Sequence, residues 1–194
     1  MHLFLTSLLV ATAAAAANKP LVVFQNLATD AKASGTPVTS DQFAAVQFRR
    51  FDSCGASLIL TSVDFAVSTE LVDNPSTYLD VDVCPSVHGV PACTTPATRI
   101  HVGGSGGSKR KVLKFTPSRH ITLDQHATYW FVVESNAGNP AHAAIWLDGA
   151  ARYTNKNDPS HDILTAFTNG DEWIADGPRN NRTVSSMQVV ASMP

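Results

Sequence analysis

The chain has 194 residues and 20.7 kDa, with Lys+Arg 14 against Asp+Glu 16 and a formal net charge of −2. Hydrophobic residues at 44% supply a core and exclude a disordered chain, and a pI near 6.4 removes the main electrostatic reason to expect nucleic acid or an anionic membrane as partner. Charged residues at only 15%, with abundant Ser, Thr, Gly and Pro, describe a secreted all-β chain rather than a helical bundle.

Residues 1–17 read as a signal peptide. Leu3 to Ala17 carry no charge, and the run is shorter than the ~20 apolar residues of a membrane span. It ends in Ala15-Ala16-Ala17, the small-x-small pattern cleaved by signal peptidase, here before Asn18. No other stretch approaches transmembrane length, so the expected product is extracellular, without a membrane span.

Residues 18–194 read as one β-sandwich domain. Apolar residues recur at period two in Leu21–Gln25, Gln42–Phe48, Leu58–Val67, Tyr78–Val83, Thr98–Val102, Val112–Thr116 and Val184–Val190. In the second half of that series, Leu79, Val81 and Val83 face inward while Asp80 and Asp82 face outward. From Leu58, the alternation places Ile59, Val63, Phe65 and Val67 on one face and Ser62 and Asp64 on the other. Thr128 to Val133 is apolar on both faces, which marks a central strand with Trp130 in the core.

Two turns set hairpin registers. Asp148-Gly149 favours a type I′ turn that pairs Leu147 with Ala150 and Trp146 with Ala151, putting Trp146 and Tyr153 on one face. Asn169-Gly170 pairs Thr168 with Asp171 and Ala166 with Trp173, with Phe167, Glu172 and Ile174 on the opposite face. So many strands without helices need a second sheet to cover the first, which gives a two-sheet antiparallel β-sandwich.

The order of these strands resembles the choice-of-anchor R domain, an exported bacterial module often fused to a PEP-CTERM-type anchor. The matching text is SLILTSVDFAVS, then YLDVDVC with the loop HGVP, then VLKFTPSRHITLDQHATYWFVVES, of which Leu123–Val133 is the most distinctive. The likeness spans about residues 42–190 and implies a jelly-roll-like sandwich without established catalytic residues. The text ends at Val189-Val190-Ala191-Ser192-Met193-Pro194, with no anchor helix or basic tail, so the resemblance implies export without attachment.

The cysteines suit that compartment. Cys84 and Cys93 flank a loop, Pro85–Ala92, with two prolines and a glycine, and closing it is worth roughly 2–3 kcal/mol. The expected bridge is Cys84–Cys93 with Cys54 free, although Cys54 could compete for either partner. No CxxC or HxxxH spacing points to metal. Asp148, Asp158, Asp162 and Asp171 offer oxygen ligands for Ca²⁺, but no EF-hand-like string exists and no cofactor is expected.

Other chemistry is weighed against plainer roles. Gly103-Gly104-Ser105-Gly106-Gly107 spells G-x-S-x-G, but a strand follows where a nucleophile elbow needs a helix, so a flexible hairpin loop is expected; Walker A fails too. Asp80 and Asp82, roughly 7 Å apart along one strand, form a carboxylate pair of the kind glycosidases use or the wet side of a half-buried strand. The histidines His88, His101, His120, His126, His142 and His161 show no partner spacing. Lys109-Arg110-Lys111 with Lys114 suits a solvated edge that blocks sheet-to-sheet pairing. Asn181-Arg182-Thr183 is the one permitted glycosylation sequon, relevant only in a eukaryotic secretory route.

Aromatics carry the functional reading. Trp146, Tyr153 and Trp173 suit either a sugar-stacking face or the core, because large planar rings serve both; for Trp146 the expectation is core, testable by melting of Trp146→Ala. The expectation is a secreted, non-enzymatic binding or surface-associated module, with an extracellular glycan or cell surface as its partner. A small extracellular hydrolase using a carboxylate pair, and a structural or protein-contact module, are the alternatives.

Overall fold

The computed structural model describes residues 19–27, 34–50, 55–94, 97–104, 109–149, 165–169, 172–176 and 183–194. Residues 1–17, Cys54, Tyr153, Asp158, His161, Asp162, Asp171 and Asn181 lie outside the described residues. Period-two patterning has produced the expected two antiparallel sheets, with strands numbered in chain order. Sheet 1 holds β1 (Leu21–Gln25), β2 (Gly35–Val38), β4 (Leu58–Ser68), β8 (Arg110–Phe115), β9 (Thr122–Leu123), β11 (Ala144–Leu147) and β14 (Met187–Ser192). Sheet 2 holds β3 (Ala44–Arg49), β5 (Tyr78–Val87), β6 (Val90–Pro91), β7 (Thr98–His101), β10 (Thr128–Ser135), β12 (Thr165–Asn169) and β13 (Glu172–Asp176).

Most connections cross from one sheet to the other, as in a jelly roll. Strand β10 lies between β3 and β5, the central position its two apolar faces require. Inner residues of both sheets interdigitate around Phe65, Phe115, Phe131 and Trp146, whose rings meet at centroid distances of 5.1–6.2 Å. Tyr129 closes one corner: its hydroxyl donates to the Thr122 carbonyl at 3.1 Å and accepts from the Asp124 amide at 2.9 Å. No helix among the described residues is long and apolar enough to cross a membrane.

Four details depart from the pattern reading. In β4, Val190 pairs with Ser62 and Ala191 with Leu60, leaving Thr61 as a bulge. The extra residue switches faces, so Leu58 and Leu60 enter the core with Val63, Phe65 and Val67, while Ile59 does not. The Asp148-Gly149 hairpin is absent because both edges of β11 are taken. Trp146 pairs with Thr36 of β2 and Val67 of β4, and Asp148 bridges to Ser185. Gly149 serves close packing instead, since a Cβ there would lie 2.2 Å from Asn26 Nδ2.

The β12–β13 hairpin does form, but Asn169 pairs with Glu172 and Thr168 with Trp173, so the turn centre moves by one residue. That shift changes the partners and preserves the faces, leaving Trp173 on the side of Ala166. The glycine-rich segment after β7 is a crossover rather than a hairpin, because β7 belongs to sheet 2 and β8 to sheet 1. The basic strand β8 pairs only with β4 among the described residues, so Lys109–Lys111 do lie along a sheet edge.

Candidate functional site

The main core takes the inner faces, and a second apolar cluster sits on the outer face of sheet 2. Ala45, Cys84, Trp130, Val132 and Ala166 form it, with Trp173 packed against it. Trp130 is buried as expected, but here rather than between the sheets, and its indole N–H donates to Ser86 Oγ at 3.0 Å. The Cys84–Cys93 bond is present, and its loop folds into a β5–β6 hairpin through His88 (φ 52) and Gly89 (φ 84).

Beside this cluster, strand registers align one row of outward residues across sheet 2. Arg99 on β7 stands opposite Asp80 on β5, and Asp80 stands opposite Glu134 on β10. Continuing the β10–β3 register by one residue brings Phe43 next to Glu134. Phe43 then exchanges bonds with Thr168, its N–H donating to Thr168 Oγ1 at 2.8 Å and its carbonyl accepting from the Thr168 amide at 3.3 Å. Thr168 in turn pairs with Trp173. The rings of Phe43 and Trp173 meet at 6.5 Å with a 53° tilt, and both are half-buried. One end of the row is therefore charged and the other aromatic.

Ion pairing at the charged end is unequal. Arg99 grips Asp80 through two bonds of 2.8 and 3.0 Å while its guanidinium lies 3.6 Å from the Tyr78 ring centroid. Arg119 approaches Asp82 at 3.3 Å. Glu134 has no ion-pair partner among the described residues. Burial pushes its carboxyl above the usual range, and the neighbouring Asp80 and Asp82 push it further in the same direction. The arrangement offers hydrogen-bonding carboxylates and guanidiniums next to an apolar aromatic surface, the combination that binds molecules with one polar edge and one apolar face.

The sequence-level candidates divide. Trp146 is not on a ligand face: its ring is fully buried between the sheets, set edge-on to Phe65 and Phe131, and its indole N–H donates to the Ser186 carbonyl at 3.0 Å. That placement corrects its standing as a binding candidate and agrees with the core expectation. Trp173 lies on the outer face, and Asp80 and Asp82 point outward as the alternation requires. Phe43, Glu134, Arg99 and Arg119 were not singled out from sequence. Glu134 was the findable one, as the lone charge in the apolar strand Thr128–Ser135.

Elsewhere, the described residues contain no group of three or more His, Cys, Asp or Glu side chains arranged to hold a metal ion. Asp148 accepts from Ser34 Oγ at 2.6 Å. Gly103 and Gly104 pack on Asn74 and Pro75, and Ser105 lies outside the described residues. A cleft lined by Thr36, Ala44, Thr165, Phe167, Thr183 and Ser185 has a volume of about 40 Å³, room for water rather than a sugar. No protein-family model matches the chain, and no curated protein matches it.

Proposed function

We propose that this chain is an exported, non-enzymatic binding module that takes an extracellular glycan along the outer row of sheet 2. The observation that carries the reading is the alignment of Arg99, Asp80 and Glu134 with the half-buried Phe43–Trp173 pair. Sugar rings stack their apolar faces on such aromatics while their hydroxyls bond to carboxylates and guanidiniums. The disulfide and the uncharged apolar run of residues 3–17, ending in Ala15-Ala16-Ala17, support export. A glycan array probed with the protein lacking residues 1–17, followed by calorimetry on the best ligand, tests the proposal. Trp173→Ala should abolish binding while leaving the melting midpoint nearly unchanged. Undiminished binding by that variant would reject the outer row as the site.

One observation favours a second reading, a small glycan hydrolase. Glu134 stands opposite Asp80 across β10 and β5, and burial raises its carboxyl, which is the relation of a general acid to a second carboxyl group. Hydrolysis of a glycan that binds, lost in Glu134→Gln, would establish this reading. Binding without turnover leaves the first.

A further inference from the structure

We propose that the Cys84–Cys93 bond is a redox-sensitive latch for the outer face of sheet 2, and that opening it disorganises this face while the sandwich stays folded. Its link to binding rests on the reading of the outer row as the ligand site; the latch itself does not.

The two bridged residues differ in burial. Cys84 is fully buried within the outer cluster, whereas Cys93 is exposed. Between them, β6 folds back from β5 and touches both β10 and β13, the strands that carry Trp130 and Trp173. Few bonds hold this hairpin without the sulfur bridge: the pairings Ser86–Pro91 and Val87–Val90, and the Ala92 amide to the Pro85 carbonyl at 3.0 Å. Isolated two-stranded hairpins are marginal in water at best. The hairpin also supplies Ser86, the acceptor for the Trp130 indole. A line of contacts thus runs from the bridge through Trp130 and its cluster to Trp173 and then Phe43.

The main core is separate from this line. None of Ala45, Cys84, Trp130, Val132 and Ala166 belongs to the cluster built around Phe65, Phe131 and Trp146, because sheet 2 lies between the two. Opening the bridge acts on the smaller cluster alone.

The chemistry needs an external dithiol reductant. One of its thiolates attacks Sγ of Cys93, the more exposed residue of the pair, the sulfur–sulfur bond breaks, and Cys84 leaves as a thiolate that takes a proton from solvent. The second thiol of the reductant then displaces Cys93 as its thiol and closes the oxidised reductant into a cyclic disulfide. Two electrons and two protons pass to the cysteines. Because apolar surroundings disfavour the departing Cys84 thiolate, the reaction is slow and waits on movement of the hairpin.

The test uses Cys54→Ser protein, so that one thiol couple remains, compared with and without dithiothreitol. Hydrogen exchange should show Ser86–Ala92 losing protection on reduction while β4 keeps it. In a Trp173→Phe background, a quencher should reach Trp130 and leave Trp146 shielded. Glycan affinity should fall about tenfold or more, a change of 1.4 kcal/mol, and return on reoxidation. Joint loss of protection in β4 and the hairpin would overturn the latch, because the bridge would then hold the whole fold. Retained protection in Ser86–Ala92 would overturn it too. Loosening of the hairpin with unchanged glycan affinity would keep the latch and reject its link to the binding site, whereas absence of glycan binding in the oxidised protein would reject the site alone.

Discussion

Trp146→Ala gives the most direct test of where the sandwich keeps its stability. The ring is fully buried, contacts Phe65 and Phe131 edge-on, and donates to the Ser186 carbonyl. An aromatic of this kind buries about 150–250 Å², worth about 4–6 kcal/mol at roughly 25 cal/mol/Å². Alanine keeps only the Cβ share, and measured truncations of buried Trp and Phe cost about 3–5 kcal/mol. The upper half of that range is expected here, because the truncation also removes the 3.0 Å bond from the indole N–H to the buried Ser186 carbonyl. At about 2–4 °C per kcal/mol for a chain of this size, the melting midpoint should fall by about 8–20 °C. Differential scanning calorimetry on the oxidised protein reads it, with Trp173→Ala as comparison because that ring is only half-buried. A Trp146→Ala midpoint within about 2 °C of the parent, less than one kcal/mol, would refute the central position of this ring.

Other outcomes follow from single side chains. Glu134 has its folded pKa raised above the ordinary 4.5, so the folded state holds this proton after the unfolded state has lost it. Stability from this group is therefore lost as pH rises from the unfolded value through the folded one, and Glu134→Gln should match the parent in acid and melt higher at neutral pH. A constant difference between the two melting curves across that window would contradict the assignment. Tyr129→Phe removes a hydroxyl that bonds Thr122 and Asp124, and urea unfolding should show a loss of about 1–3 kcal/mol. Gly149→Ala drives a methyl into Asn26 and should cost about 1–3 kcal/mol by the same assay, a clash that outweighs the gain from reduced chain entropy.

Local pattern carried much of this protein. Alternation in Tyr78–Val83 placed three apolar residues inward and two aspartates outward, and the doubly apolar Thr128–Val133 was legible as central, because both depend only on neighbours along the strand. The prolines and glycine between Cys84 and Cys93 announced a turn for the same reason. Pairing between distant segments was another matter. Nothing within Ala144–Leu147 tells that β2 and β4 occupy its two edges, so its adjacent Asp-Gly suggested a hairpin that cannot form. The bulge at Thr61 lies in the pairing of β4 with the distant β14, and a single inserted residue reversed which face Leu58 and Leu60 present. The candidate site depends on such pairing throughout. Arg99, Asp80, Glu134, Phe43, Thr168 and Trp173 come from six strands or strand ends, and nothing within any one segment tells which of the others lie beside it. Only the stacking of registers across sheet 2 makes them a row, since side chains on one face meet through hydrogen-bonded neighbours whose identity chain order does not encode.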